Sequence, residues 1–332
     1  MSSINKMVLK SNVLEFDKEK ELEKITNRLR EILRTELNRR GFVVAISGGI
    51  DSSVSAALCV KALGADKVYG LLLPETDSSS SSLERGRKLA EHLGIKYEVH
   101  NIAPTLEAIG CYKWRDEAIK RTFPEYGENW KNKIVISGGT KGQINHFQLV
   151  VQSPDGEVKE ERLRLNEYLQ IVAATNYKQR IRKTIEYFHA DRLNYAVVGT
   201  PNRLEYDQGF FVKNGDGSAD VKPIAHLYKT QVYEMAKYLG LPDDICNATP
   251  TTDTYSLSQG QDEFYFALPY KQMDIALWAL NNGIESNDLA EYLDIPQSQA
   301  EFIYKDILTK RKSTKYHHAK PVLVEPVAEI EV

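Results

Sequence analysis

The chain has 332 residues, of which 42% are apolar and 27% are charged, so it is long enough to bury a substantial core. Its 43 basic and 46 acidic residues give a net charge of −3, which offers no support for nucleic-acid binding. We expect neither a membrane span nor secretion, because the sequence has no long apolar run and no apolar signal segment at its beginning. Three dispersed cysteines, Cys59, Cys111 and Cys246, indicate neither a disulfide framework nor a zinc site and fit a reducing cytoplasm.

Apolar periodicity predicts alternating helices and strands over the first hundred residues. The predicted elements are, in chain order, a helix over 17–39, a strand over 42–46, a helix over 54–63, a strand over 68–73, a helix from the serine tract 78–82 to Gly94, and a strand over 97–100. Asp17 is expected to cap the first helix, and Ser81 and Glu84 have the spacing of a capping box for the third. This order predicts an α/β fold with a doubly wound parallel sheet.

A charged, glycine-rich stretch at about 113–165 interrupts the alternation, and we interpret it as an insertion that covers the sheet. Its second half is typical of a hairpin, with a turn at 153–156 and a return strand over 158–165. The pattern then predicts a helix over 168–189, a strand over 195–198, a glycine-rich loop over 199–220 and a helix over 227–239. We therefore predict one α/β domain over 1–270, followed by a small helical region and basic tail of the same domain over 271–332.

The hexapeptide Ser-Gly-Gly-Ile-Asp-Ser at 47–52 lies between the first predicted strand and the helix that follows it. Glycines at such a turn let backbone N–H groups converge on an anion, and the helix N-terminus adds partial positive charge. Asp51 beside phosphates is expected to hold a neutralising Mg²⁺. The segment is neither a Walker loop nor a dinucleotide fingerprint. A glycine turn without a ligand remains the alternative, and we favour it for the similar segment 136–142, which precedes a hairpin.

A second group of polar residues follows the strand predicted over 195–198. Glu205 is expected to face the same crevice as Asp51, because ligands collect at the carboxyl ends of parallel strands. Two carboxylates from separate strand ends are suited to a hard cation. Lys213 and Lys229 can stand opposite phosphates or a substrate carboxylate.

These residues carry a resemblance to known proteins. The 47–52 segment resembles the pyrophosphate loop of the ATP-pyrophosphatase (PP-loop) superfamily. The stretch from Gly199 to Val232 is similar to the ammonia-dependent NAD synthetase pattern Gly-Thr-x-Asn-x-x-Glu…Lys-x-Gly-Asp-Gly-x-x-Asp…Leu-x-Lys-x-Gln-Val, and the segments 176–182 and 250–253 agree with it. The sequence departs from the family pattern at 262–267, at 316–321 and in the insertion.

The resemblance implies a Rossmann-like fold of the adenine nucleotide alpha hydrolase type, with ATP as co-substrate and Mg²⁺ as metal. It implies ATP contacts, a metal site, acceptor contacts and catalytic residues at matching positions. The implied ATP contacts are Ser47, Gly48, Gly49, Asp51, Ser52, Thr200, Lys229 and Thr251. The implied metal ligands are Asp51 and Glu205, the implied dinucleotide contacts are Asn176, Arg180, Lys213 and Asp220, and the implied catalytic residues are Asp51 and Lys229.

The activity that the resemblance implies is adenylation of the nicotinate carboxylate of deamido-NAD, followed by attack of ammonia to give NAD, AMP and pyrophosphate. A homodimer in the cytoplasm is expected, with neither nucleic acid nor membrane as partner. The length leaves no room for a glutaminase domain before residue 42, so we expect free ammonia or a separate glutaminase subunit as the nitrogen source.

Different functions on the same fold remain open. A paralogue that amidates a different carboxylic acid is the main competing hypothesis, because the sequence departs from the family pattern in three places. A tRNA-modifying enzyme and a nucleotide-binding sensor are two further hypotheses. For His317 and His318 we favour a solvated tail over contact with substrate.

Overall fold

The computed structural model describes residues 9–137, 146–248, 255–257, 265 and 268–328. The strands are Phe42–Ala45 (β1), Val68–Leu72 (β2), Lys96–Val99 (β3), Lys131–Ser137 (β4), His146–Gln152 (β5), Val158–Arg162 (β6) and Ala196–Val198 (β7). The helices are Lys18–Glu31 (α1), Ile50–Leu63 (α2), Ser80–Leu93 (α3), Ala103–Ala108 (α4), Cys111–Lys120 (α5), Leu165–Leu193 (α6), Arg203–Gln208 (α7), Lys229–Tyr238 (α8), Asp243–Cys246 (α9), Tyr270–Asn281 (α10), Ser286–Leu293 (α11), Gln297–Ser313 (α12) and Lys315–His318 (α13). None of these helices is long and apolar enough to cross a membrane.

A four-stranded parallel sheet in the order β3-β2-β1-β7 forms the centre of the fold. Alternate side chains of β1 enter different cores, because successive residues of a strand point to opposite faces. Phe42 and Val44 pack with α1, α2 and α8, whereas Val43 packs on the other face with α4, α5 and α6. Both faces of the sheet are therefore covered by helices, which confirms the predicted doubly wound α/β fold.

The insertion contains more structure than the predicted hairpin. Strands β5 and β6 form that hairpin, but β4 adds a third antiparallel strand that sequence reasoning missed. Helix α5 begins the insertion and packs with the small sheet and α6 around Ile134, Leu149 and Ile171. Most of the second glycine-rich segment, 138–142, lies outside the described residues.

Several predicted boundaries were wrong. Helix α3 is capped by Ser79, whose side chain accepts from the backbone N–H of Ser82, so Ser81 and Glu84 do not form its capping box. The first helix, capped by Asp17 as predicted, continues past α1 as a π-helical segment, Ile32–Leu37. Helix α2 begins four residues earlier than predicted, directly after the glycine turn, and α6 is longer than predicted at both ends. These errors share a cause, since capping and helix extension depend on contacts that periodicity does not report.

Candidate active site

The 47–52 segment forms the turn that follows β1 and the first residues of α2, at the carboxyl end of the sheet. Gly48 has a φ of +79°, and a Cβ added there would lie 2.2 Å from the carbonyl oxygen of Ser82. Glycine is therefore required at this position for two independent reasons, backbone conformation and close packing. Gly49 precedes the first helical residue and has no side chain to cap α2, so no side chain of the N-cap residue occupies the N–H groups of the first helical turn.

Hydrogen bonds between its own residues hold the turn in shape. The hydroxyl groups of Ser47 and Ser52 are 3.0 Å apart, and the backbone N–H of Gly49 donates to Ser47 Oγ at 3.2 Å. Ser52 Oγ and Ser53 Oγ both donate to the carbonyl of Gly49, at 3.0 and 2.8 Å. The turn is thus organised before any ligand binds, which lowers the entropic cost of binding an anion.

Arg85, on α3, is a residue of this region that sequence reasoning missed. Its Nε donates to the carbonyl of Gly48 at 3.0 Å, and its Nη2 donates to Ser82 Oγ at 3.1 Å. The guanidinium group therefore ties the glycine turn to the first turn of α3 and adds positive charge beside it. The sequence signal that could have revealed Arg85 is a basic residue about one turn after the serine-rich start of α3.

Asp51 and Lys229 come together at the carboxyl end of β1. Lys229 is the first residue of α8, only 1% exposed, and its Nζ forms an ion pair with Asp51 Oδ2. Asn202 Nδ2 donates to the other carboxylate oxygen of Asp51 at 3.0 Å. The two residues predicted to be catalytic are therefore in direct contact.

Asn202 also orients the second predicted metal ligand, Glu205. Its side-chain oxygen accepts from the backbone N–H groups of Leu204 and Glu205, at 2.9 and 3.3 Å, and its own backbone N–H donates to Glu205 Oε2 at 3.0 Å. This reciprocal arrangement is a capping box for α7. One buried asparagine thus contacts both carboxylates, a role that the motif spacing alone did not reveal.

The electrostatics of Asp51, Glu205 and Lys229 favour a cation beside the two carboxylates. Burial and the nearby charge of Asp51 raise the pKa of Glu205 to about 8. Burial alone would lower the pKa of Lys229, but Asp51 and Glu205 raise it above its ordinary value, so this ammonium group stays charged. Among the described residues no cluster of three or more His, Cys, Asp and Glu side chains could hold a metal. Two protein carboxylates are suited to a Mg²⁺ ion that takes its other ligands from substrate phosphates and water.

The four predicted acceptor contacts lie on α6 and in the glycine-rich loop. Arg180 is exposed and its Nε donates to the carbonyl of Lys213 at 3.3 Å, while Asn176 is half-buried one turn before it on α6. Lys213 Nζ donates to the carbonyls of Tyr316 and Ala319, at 3.0 and 3.1 Å. Lys213 therefore connects the glycine-rich loop to the C-terminal segment whose sequence departs from the family pattern.

The C-terminal histidines pack against the same loop. His317 Nδ1 lies 3.0 Å from the carbonyl of Gly209, and the ring of His318 meets that of Phe211 edge-on at 5.0 Å. His317 is half-buried by these contacts, so the predicted tail is anchored here by a short helix.

Asp220 lies toward the other end of the sheet. Its carboxylate accepts from the backbone N–H of Val197 at 2.7 Å and from the hydroxyl of Tyr187 at 3.2 Å. It also lines a cavity of about 90 Å³ with Arg39 and Tyr195, residues that precede β1 and β7. The structure therefore does not bring Asp220 together with Asp51 within one copy of the chain.

The remaining predicted ATP contacts have two different outcomes. Thr200 is half-buried, two residues beyond the end of β7 and two before Asn202, at the edge where Asp51 lies. Thr251 and the rest of 250–253 lie outside the described residues.

A buried charge network beyond β2 was also missed. Lys178 of α6 is 2% exposed, and its Nζ contacts Glu75 Oε1 at 3.1 Å and Asp77 Oδ2 at 2.6 Å. Arg115 of the insertion pairs with the same Asp77 oxygen at 2.7 Å, and the hydroxyl of Tyr112 donates to Glu75 at 2.8 Å. Burial opposes ionisation of Asp77, but the two cations lower its pKa below the ordinary value. The network joins the insertion, α6 and the carboxyl end of β2.

Comparisons with known proteins agree on one family. A sequence model of the NAD synthase family matches residues 21–134 and 140–320. The chain is 53% identical over 328 residues to the NH(3)-dependent NAD(+) synthetase of Rhizobium meliloti (strain 1021), and the match covers 98% of each chain. It is 39% identical over 254 residues to the NH(3)-dependent NAD(+) synthetase of Thermotoga neapolitana, covering 76% of this chain and 82% of that one.

Solved structures share the fold. The NMN synthetase of Francisella tularensis matches with a TM-score of 0.61 and 22% identity, covering 93% of this chain and 99% of that one. The NH3-dependent NAD synthetase of Campylobacter jejuni matches with a TM-score of 0.58 and 22% identity, covering 93% of this chain and 100% of that one. At this identity the likeness shows the fold alone.

Proposed function

Because this chain belongs to the NAD synthase family, we propose that it joins ammonia to the nicotinate carboxylate of deamido-NAD, with ATP cleaved to AMP and pyrophosphate. The observation that carries this proposal is the identity of 50 to 53% over nearly the whole chain to NH(3)-dependent NAD(+) synthetases. The preformed turn at 47–52, beside the contact between Asp51 and Lys229, supplies matching chemistry. The reaction makes the protein a ligase that forms a carbon–nitrogen bond.

Activation of the acid is the first chemical requirement. A carboxylate does not condense with ammonia at neutral pH, because hydroxide and oxide are poor leaving groups. In the proposed first step an oxygen of the nicotinate carboxylate attacks the α-phosphorus of ATP, and the bond to the β-phosphate oxygen breaks. Ammonia then attacks the carbonyl carbon of the acyl-adenylate, loses a proton and displaces AMP. The acyl group stays on the substrate throughout, so no covalent protein nucleophile is needed.

The glycine turn is the proposed site of the departing pyrophosphate. The N-terminus of α2 offers backbone N–H donors and positive potential, and the two glycines before it add no side-chain obstruction. The hydroxyl groups of Ser47 and Ser52 already face each other across the turn, and Thr200 lies near the adjacent strand end. Holding the leaving group in place lowers the barrier to its departure by positioning and charge stabilisation.

Asp51 and Glu205 are the proposed protein ligands of Mg²⁺. When bound, this ion would offset the charge of the phosphate oxygens during transfer. Lys229 neutralises Asp51 in the free protein, and we place it opposite the phosphates once Asp51 binds the metal. Its raised pKa keeps it cationic for that role, and its burial keeps it close to the site.

Arg180, Lys213 and Asn176 are the proposed contacts of the dinucleotide. The two cationic side chains suit its diphosphate, and Asn176 can bind a polar group through its amide. A role for Asp220 in acceptor binding requires a second copy of the chain, since Asp220 and Asp51 face opposite ends of the sheet in one copy. We therefore propose a homodimer that shares the acceptor site, acting on free ammonia in the cytoplasm.

Product analysis tests this function. Purified protein given ATP, Mg²⁺, ammonium and deamido-NAD should form NAD, AMP and pyrophosphate in equal amounts, and glutamine should not replace ammonium. Asp51→Ala should abolish pyrophosphate release, whereas Asp66→Ala, at an exposed position before β2, should leave it unchanged. Faster AMP formation with another carboxylic acid would favour a paralogous amide synthetase. Formation of ADP and orthophosphate would contradict the proposal.

A further inference from the structure

Asp274 is a fully buried acidic residue on α10, in the C-terminal helical region. Its carboxylate points at the first turn of α8. Oδ1 accepts from the backbone N–H of Lys229 at 3.2 Å, and Oδ2 accepts from the backbone N–H and the hydroxyl of Thr230, at 2.6 and 2.5 Å. All three donors belong to the residue predicted to be catalytic and to its immediate neighbour.

The first turn of α8 has an unusual cap. The first N–H groups of a helix have no partner within the helix, and a side chain of the preceding residue commonly accepts from them. Tyr228 precedes α8 and is not among the short polar residues that usually do so, and its own N–H donates to Gln231 Oε1 at 3.0 Å. Asp274 fills this role from 45 residues farther along the chain. Its negative charge at a helix N-terminus is also electrostatically favourable.

A second contact between α8 and α10 lies one helical turn away from the first. Tyr270 and Asp274 are four residues apart on α10, as Lys229 and Tyr233 are on α8, so each pair lies on one helix face. The rings of Tyr233 and Tyr270 stack with centroids 5.3 Å apart, and Lys229 Nζ lies 6.0 Å from the ring of Tyr233. Helix α10 therefore contacts the lysine at its backbone and the aromatic ring beneath its ammonium group.

We propose that Asp274 is a positioning residue for the reaction, which holds the backbone of Lys229 so that its ammonium group reaches Asp51 and the phosphates. Lys229 is buried along its length, so the direction of its side chain depends on where its backbone is held. A displacement of about 1 Å in a catalytic group can cost on the order of a hundredfold in rate. This inference rests on the proposed role of Lys229 and extends it to the C-terminal region.

A double-mutant cycle tests the inference, because residues that act through one another have non-additive effects. Asp274→Asn removes the charge and places an amide N–H against existing donors, and it should lower kcat by about tenfold to a hundredfold. Lys229→Met removes the ammonium group and keeps the length of the side chain. AMP formation is measured in single turnovers with labelled ATP and excess enzyme, so slow variants remain measurable. Leu277→Ala, at another buried position of α10, is the control for lost stability and should keep the wild-type kcat.

Each outcome decides a separate point. If Asp274→Asn changes kcat less than twofold in the Lys229→Met background, the two residues act through one another as proposed. If it lowers kcat by the same factor in both backgrounds, Asp274 is only a structural cap and the inference is overturned. If Lys229→Met alone leaves kcat unchanged, the proposed role of Lys229 fails, and the positioning role with it. Should Asp274→Asn not fold, Thr230→Val removes one donor to the same carboxylate, with Thr230→Ser as its control, and the same cycle applies.

Discussion

At the scale of single residues, the site depends on Asn202 as much as on the charged groups it contacts. Its amide nitrogen donates to Asp51, and its amide oxygen accepts from two N–H groups of α7. A buried side chain that makes all of these bonds has little freedom to move, so it fixes the separation of Asp51 and Glu205. The sequence pattern predicted both carboxylates because they follow parallel strands. The role of Asn202 was not predicted, since it depends on where the side-chain amide points, and the sequence pattern does not show that.

Substitutions of Asn202 separate its two roles. Asn202→Ser keeps an oxygen that can cap α7 but is too short to reach Asp51, so kcat/KM for ATP should fall about tenfold or more. Asn202→Ala loses both roles and should cost a further ~1 kcal/mol of unfolding free energy compared with serine. Steady-state kinetics and urea unfolding of both variants measure these effects. A serine variant with wild-type kcat/KM would show that the contact with Asp51 has no part in the reaction.

At the scale of elements, the β1–α2 turn shows how a local motif and a distant element define one site. The turn was predictable because glycines between a strand and a helix are a local signal. Its packing was not, because the carbonyl of Ser82 and the guanidinium of Arg85 come from α3. Likewise, sequence reasoning missed the third strand of the insertion, because its short β-branched run, Ile134–Ile136, follows two lysines and its pairing with β5 is visible only in the structure.

Gly48→Ala should weaken binding of ATP by more than tenfold, because the added Cβ would lie 2.2 Å from a backbone oxygen and force the turn to move. Gly64→Ala is a matched control. Gly64 also has a positive φ, +87°, but an added Cβ meets no atom within 4 Å. Both variants should lose about 1 to 3 kcal/mol of stability from backbone strain, Gly48→Ala should lose more because of the clash, and only Gly48→Ala should lose nucleotide affinity, as measured by titration calorimetry. Equal affinities for the two variants would mean that the turn does not hold the phosphates.

At the scale of the whole molecule, buried charges connect the insertion to the sheet. Lys178, Arg115, Glu75 and Asp77 come from three separate parts of the chain and neutralise one another away from solvent. The overall α/β architecture could be predicted because the spacing of apolar residues within each segment indicates whether it forms a strand or a helix. This network could not be, because its members lie up to 103 residues apart and no spacing rule links them.

Lys178→Met should destabilise the protein by about 3 to 5 kcal/mol, because it leaves the buried carboxylate of Glu75 without a cation and that of Asp77 with Arg115 only. Lys159→Met provides the comparison. It removes a solvent-exposed pair with Glu125, whose loss should have a much smaller effect because water screens both charges. Urea unfolding of both variants, with unchanged denaturant slopes, measures the difference. Losses of similar size would show that burial does not set the strength of this network.

The most direct measurement of the central claim is a crystal structure with Mg²⁺ and an ATP analogue that resists cleavage between the α- and β-phosphates. We expect the β- and γ-phosphates to lie against the backbone N–H groups of 47–52, with the metal on Asp51 and Glu205 and Lys229 turned from Asp51 toward the phosphates. A triphosphate bound at any other edge of the sheet, or a metal that contacts neither carboxylate, would contradict the account.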